Sequence, residues 1–90
     1  MKSILQKHKR CLICGSPYVE EHHVFEGSRR QASEAYGMKV YLCQTHHRGR
    51  PEGVHADADF AAWLKKSAQQ AFERKHGHDL FMQVFKKSYL

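Results

Sequence analysis

Two short stretches in the first half of the chain have the pattern of β-strands. Residues 18–25 (YVEEHHVF) are rich in aromatic and β-branched side chains, which favour an extended backbone. Residues 38–43 (MKVYLC) alternate, so that Met38, Val40 and Leu42 face one way. These stretches predict two strands separated by a connection long enough for a helix.

The connection and the region after the second strand are less regular. Residues 27–37 predict a loop and a short helix, with Ser28 or Ser33 as its N-cap and Gly37 just past its end. Residues 44–59 contain two glycines and a proline, which predict an irregular stretch.

The second half of the chain predicts helices. Asp57 or Asp59 begins the strongest one, which runs to about His76. Its apolar side chains recur at three-and-four spacing and form one core-facing stripe: Phe60, Trp63, Leu64, Ala68, Ala71 and Phe72. A shorter helix is predicted over residues 79–88. The expected fold class is therefore α+β.

The whole chain, residues 1–90, is expected to form one domain. Residues 1–10 are a basic N-terminal arm, open to fraying, residues 11–56 carry the chemistry, and residues 57–90 are the helical C-terminal part. A domain this short has a marginal hydrophobic core, so an additional staple is expected.

Charge narrows the choice of partner. The net charge is +6 with the histidines neutral, which favours a polyanion such as nucleic acid. No apolar run approaches the about 20 residues that cross a bilayer, and residues 1–8 leave no hydrophobic region for a signal peptide. We therefore expect a cytoplasmic protein that binds no membrane.

The three cysteines suit a metal site better than disulfides, because an odd number cannot all pair and cytosolic thiols stay reduced. Cys11 and Cys14 form one short-spaced pair, and Cys43 and His46 form another. Two such pairs can offer four ligands to one tetrahedral ion, which predicts structural Zn²⁺. The competing interpretation is that the cysteines are small buried hydrophobes.

Other histidines suggest a second site. His22 and His23 lie on the first strand, His47 follows the zinc ligand His46, and His55 comes after Gly53 and Val54. The zinc would bring these imidazoles together, where they could bind a divalent metal or act as a general base. The competing interpretation is that these are surface histidines, or that His22 caps a neighbour. In a regular strand His22 and His23 would also point to opposite faces, so the strand must twist or end there if both belong to the site.

Together these motifs resemble the HNH endonucleases, which have the ββα-metal fold. The likeness lies in Cys11-x-x-Cys14, Glu21-His22-His23-Val24 and Leu42-Cys43-x-x-His46-His47, and covers residues 11–56. Gly53-Val54-His55-Ala56 is similar to small phage-encoded members, including the RecA-dependent phage nucleases. The resemblance implies a zinc-stapled ββα-metal domain with added C-terminal helices, and a phage-encoded enzyme that cuts DNA.

The resemblance also implies residue roles. His23 matches the general base. His22 and His47 match ligands of a catalytic metal, which is Mg²⁺ or another divalent ion, and His55 is a further candidate ligand of that metal. Arg29 and Arg30 lie where the family's loop approaches DNA, and Arg48 and Arg50 flank the active-site loop.

The sequence lacks the asparagine that gives the HNH motif its middle letter. No asparagine occurs anywhere, and Gly37, Met38 and Lys39 occupy that neighbourhood. The alternative functions are therefore a catalytically inactive zinc-stabilised module that binds nucleic acid, and a zinc-dependent adaptor that binds another protein. Sequence specificity, DNA against RNA and the oligomeric state stay open.

Overall fold

The two predicted strands pair as an antiparallel sheet. Strand β1 spans Glu20–His23 and β2 spans Lys39–Leu42, with Glu20 opposite Leu42 and His23 opposite Lys39. Both are shorter than the sequence pattern predicts. The structure is a computed structural model that describes residues 1–90.

Four helices accompany this sheet, and the α+β class is confirmed. Helix α1 spans Arg30–Ala35 after a 3₁₀ turn at Gly27–Arg29, α2 spans Gln44–His47, α3 spans Ala58–His76 and α4 spans His78–Phe85. None of them is both long enough and apolar enough to cross a membrane.

The ends of the long helix follow the predicted capping chemistry. The Asp57 carboxylate accepts hydrogen bonds from the backbone N–H of Asp59 (3.0 Å) and Phe60 (3.1 Å), so Asp57 is the N-cap. Gly77, with φ of 88°, ends α3. Helix α4 ends earlier than predicted, because Lys86 takes a left-handed backbone with φ of 69°.

The capping prediction for the short helix is wrong. Neither Ser28 nor Ser33 caps α1. Ser33 lies inside the helix, where its buried hydroxyl donates to the Phe25 carbonyl (2.7 Å) and accepts from the Phe25 N–H (3.1 Å). The serine therefore fastens α1 to the chain leaving β1. Gly37 follows α1 as predicted, with φ of 68°.

The hydrophobic core lies between the sheet and the two long helices. Its buried members are Cys11, Val24, Phe25, Met38, Val40, Leu42, Val54, Leu64, Ala68, Phe72, Phe81 and Phe85. Leu64, Ala68 and Phe72 are the buried line of α3. The core prediction is wrong for Trp63, which is 53% exposed. Trp63 precedes Leu64, so it lies about 100° away around the helix.

The N-terminal arm is not frayed. Ile4 N–H donates to the Gly37 carbonyl (2.9 Å), and the Gln6 side-chain oxygen accepts from Tyr41 N–H (2.6 Å). The Met1 ammonium group donates to the Glu34 carboxylate (2.8 Å). The arm therefore covers the outer edge of β2, whose polar groups would otherwise be unpaired.

Candidate metal centre

Four predicted ligands converge at one end of the hairpin. We call Cys11, Cys14, Cys43 and His46 the cysteine cluster; their ligand atoms all lie within 4.8 Å of one another. The Cys14 and Cys43 sulfurs are 3.7 Å apart, and His46 Nδ1 is 3.1 Å from the Cys43 sulfur. Sulfurs at tetrahedral corners around zinc are about 3.8 Å apart. The cluster could therefore hold a metal ion such as zinc.

Local backbone structure brings these ligands together. Gly15 N–H donates to the Cys11 carbonyl (2.9 Å), and the positive φ of Gly15 turns the chain directly after Cys14. Leu12 N–H donates to the Tyr41 carbonyl (2.9 Å), which ties this turn to β2. Cys43 is the residue before α2, so one helical turn carries His46 back toward its sulfur.

The cluster favours a thiolate at Cys11. Burial alone would raise the pKa of this thiol, but backbone N–H donors around Cys43, Cys14 and Ile13 outweigh burial and lower the pKa to about 6. Because a metal binds the thiolate rather than the thiol, these donors prepare Cys11 for coordination.

A second group of candidate ligands combines His22 of β1, His47 of α2 and His55 of the loop after α2. We call His22, His47 and His55 the imidazole cluster; their ligand atoms also lie within 4.8 Å of one another. The ring centroids are 5.3 Å apart for His22 and His47, 5.1 Å for His22 and His55, and 4.8 Å for His47 and His55. Nε2 of His47 and Nε2 of His55 are 3.0 Å apart.

The loop after α2 folds His55 onto His47. Val54 N–H donates to the His46 carbonyl (2.8 Å), and His55 N–H donates to the His47 carbonyl (3.3 Å). Gly49 and Gly53 permit this return, because a Cβ at Gly49 would collide with the Thr45 backbone in α2, and a Cβ at Gly53 would collide with the Gly49 backbone in the loop. The two glycines of the irregular stretch are therefore needed where the chain passes close to itself.

His22 contributes a buried atom that lacks a partner. Its ring is 6% exposed, and its Nδ1 is the one buried side-chain nitrogen or oxygen with no hydrogen bond. Burial, followed by the proximity of His47 and His55, lowers the pKa of His22 to about 4. A neutral imidazole with a free lone pair is what a metal ion requires. The imidazole cluster therefore fits a divalent transition metal.

Glu20 orients His47 from behind. The distance between Glu20 Oε1 and His47 Nδ1 is 2.6 Å, and a carboxylate can only accept, so Nδ1 is the donor. This bond lowers the pKa of Glu20. It also leaves Nε2, the atom that faces His55, as the lone-pair position of a neutral His47. Carboxylate–histidine pairs of this kind are common beside metal ions.

His23 lies on the opposite face of β1 and is not part of the imidazole cluster. His23 Nε2 donates to Glu34 Oε1 (2.8 Å), and Lys39 Nζ also donates to the Glu34 carboxylate (3.2 Å). Glu21 shares this face, with 2.6 Å between its Oε1 and Lys39 Nζ. The expectation that His22 and His23 adjoin one metal thus gives way to the alternation of a regular strand.

An open cavity of about 590 Å³ lies on the His23 side of the strand. Seven residues line it: Glu21, His23, Gly27, Ser28, Arg30, Gln31 and Glu34. Arg30 is therefore near His23 rather than in the imidazole cluster. Arg48 and Arg50 are exposed in the loop after α2, and Arg48 Nε lies 3.9 Å from Glu20 Oε1. Arg29 is half-buried in the 3₁₀ turn.

Comparison of the chain with protein-family models, curated proteins and solved structures gives no match. Glu20, Glu26 and Glu34 were not predicted as site residues, although Glu20 is two positions before His22 and strand alternation puts both on one face. The other two carboxylates gave no comparable signal.

Proposed function

We propose that this protein is a metal-dependent endonuclease of the HNH type that hydrolyses phosphodiester bonds in DNA. The observation that carries the proposal is the convergence of His22, His47 and His55, with the Nδ1 of His22 buried and unpaired. A purely structural histidine would be expected to have a hydrogen-bond partner at this depth. An antiparallel hairpin followed by a short histidine-bearing helix also suits a ββα-metal unit.

The cysteine cluster and the imidazole cluster have different proposed roles. The cysteine cluster has four protein ligands and no open position, so its role is to hold the hairpin and α2 together. The imidazole cluster has three, and His55 is exposed, which leaves room for water and a phosphate oxygen. A divalent ion there would neutralise the scissile phosphate and stabilise the leaving 3′ oxygen.

His23 is the proposed general base. Since Glu34 accepts the proton of His23 Nε2, a neutral His23 keeps Nδ1 free to take a proton from water. A carboxylate that orients an imidazole in this way is a recurrent arrangement in hydrolases. Because His23 and the imidazole cluster lie on opposite faces of β1, the base role is a separate part of the proposal with its own test.

DNA is the proposed substrate because the chain is basic overall and carries arginines close in sequence to the candidate histidines. The net charge is +6. Arg48 and Arg50 are exposed in the loop between His47 and His55, Arg30 lines the His23 cavity, and Arg29 precedes it in the 3₁₀ turn. Guanidinium groups bind phosphate oxygens with paired hydrogen bonds. We propose that these arginines hold the DNA backbone and leave base identity unread.

Plasmid cleavage tests the proposal. Zinc-loaded protein is incubated with supercoiled plasmid and Mg²⁺ or Mn²⁺, alongside the His55→Ala and His23→Ala variants. We expect nicked or linear DNA from the wild type, and none from either variant. A wild type that binds plasmid without cutting it would refute the enzyme. Cleavage retained by His23→Ala would remove only the base assignment.

The second candidate is a zinc-stabilised module that binds nucleic acid without cutting it. Two observations favour it: no asparagine occupies the family's middle position, and His23 faces away from the imidazole cluster. This module would show salt-dependent DNA binding that is unchanged by His23→Ala. The same plasmid experiment, read by gel shift, separates the two functions.

A further inference from the structure

A carboxylate stands at the open side of the imidazole cluster. Glu26 Oε1 lies 3.7 Å from His22 Nδ1 and 3.8 Å from His55 Nε2. These separations are too long for hydrogen bonds. Neighbouring ligands of a six-coordinate divalent ion lie about 3.0 Å apart, so Glu26 would approach the histidines on binding, and two positions would stay open for water and a phosphate oxygen. Glu26 is therefore near two of the three histidines without being hydrogen-bonded to either.

We infer that Glu26 is the fourth protein ligand of the metal site formed by His22, His47 and His55. This inference rests on the proposed function, since it concerns the same site. The buried and unpaired Nδ1 of His22 is an independent sign that something other than a protein donor belongs between these groups. Glu26 is the carboxylate nearest to that atom.

Glu20 and Glu26, the two glutamates beside the imidazole cluster, have different roles. Glu20 is engaged by the far nitrogen of His47, at 2.6 Å, and so acts as a positioning residue. Glu26 faces the nitrogens of His22 and His55 that point into the cluster, and its carboxylate accepts no hydrogen bond. Glu26 is not among the residues whose ligand atoms all lie within 4.8 Å of one another, but its side chain is 53% exposed and is free to turn toward a bound ion.

A carboxylate ligand changes which metals the site accepts. Three neutral imidazoles alone suit zinc, nickel or copper, whereas carboxylate oxygen suits Mn²⁺ and Mg²⁺. Glu26 also reduces the charge of the bound divalent ion, which stabilises it in a partly buried position. Glu26 would therefore enable this site to bind a hard divalent cation.

Manganese binding tests the assignment without reference to cleavage. Zinc-loaded protein is titrated with Mn²⁺, and free Mn²⁺ is followed by electron paramagnetic resonance; Mn²⁺ competes poorly for a site rich in thiolates. Removal of a residue that supports a metal ligand costs about 10–100-fold in metal affinity, and we expect Glu26→Gln to weaken Mn²⁺ binding by at least that factor. Glu52→Gln, the same charge change at an exposed loop residue, should bind like the wild type.

The outcomes are distinguishable. If Glu26→Gln binds Mn²⁺ as tightly as the wild type while His55→Ala does not, the Glu26 assignment is overturned and the metal site of the proposed function stands. If the wild type shows no saturable Mn²⁺ site, both are overturned. Zinc content and the thermal melt confirm that each variant is folded. Glu26→Asp is a second variant that keeps the charge on a shorter side chain, and we expect it to bind Mn²⁺ with an affinity between those of the wild type and Glu26→Gln.

Discussion

Glu20 and His47 are joined across β1 and α2 by a hydrogen bond of 2.6 Å, from His47 Nδ1 to Glu20 Oε1. The bond selects the ring nitrogen that faces His55 as the lone-pair position. A carboxylate on the strand thereby sets the ligand geometry of a histidine on the helix. This relationship leads to the first of four predictions.

Replacing Glu20 with glutamine should weaken metal binding at the imidazole cluster. The amide has no charge to hold the Nδ1 proton, so His47 can turn or change tautomer. Removal of such partners costs about 10–100-fold in metal affinity. Isothermal titration of zinc-loaded protein with Mn²⁺ measures this, and Glu52→Gln is the control. Equal affinities for Glu20→Gln and Glu52→Gln would contradict the positioning role.

Replacing Cys14 with serine should destabilise the fold through the metal alone. Cys14 is exposed, so the substitution opens no cavity in the core. A domain has only about 5–15 kcal/mol of stability, and zinc contributes free energy on that scale in small domains. We expect the melting temperature to fall by more than about 10 °C.

The controls for Cys14→Ser are a chelator and a distant histidine. EDTA should lower the melting temperature of the wild type and leave that of Cys14→Ser nearly unchanged. His8→Ala, at an exposed position of the arm, should melt like the wild type. A Cys14→Ser variant that keeps one tightly bound zinc and the wild-type melt would show that the cysteine cluster is not a structural metal site.

Replacing Gly53 with alanine should disturb the imidazole cluster and spare the cysteine cluster. The added Cβ would collide with backbone atoms of Gly49, and the loop that carries His55 must shift to relieve the contact. We expect at least a tenfold loss of Mn²⁺ affinity, on the scale of about 10–100-fold for a disturbed ligand, with one zinc retained by elemental analysis. Glu52→Ala, an exposed residue of the same loop, is the matched control. Unchanged Mn²⁺ binding in Gly53→Ala would show that the glycine contact does not govern His55.

Replacing Phe72 with alanine should cost about 3–5 kcal/mol of unfolding free energy, because a fully buried aromatic ring leaves a cavity. Trp63→Ala should cost clearly less, since Trp63 is 53% exposed although it lies on the same helix. Urea unfolding with zinc present measures both values. Similar losses for the two variants would place Trp63 in the core after all.

Chain-local patterns predicted the elements well. Asp57 caps α3 and Gly77 ends it, because both signals depend on residues a few positions apart. The α1 caps and Trp63 were predicted wrongly for a common reason. Ser33 and Trp63 each had two acceptable environments, and packing against other parts of the chain decided between them.

The sequence by itself determined which four side chains form the cysteine cluster, because cysteine spacing restricts which side chains one turn can bring together. It also determined that histidines would gather near that cluster. Strand alternation separates His22 from His23, but only the tertiary structure decided that His22 meets His47 and His55 while His23 meets Glu34. The places of Glu20 and Glu26 likewise depend on how the hairpin, α2 and the glycine loop close in space, and no short-range pattern encodes those distances.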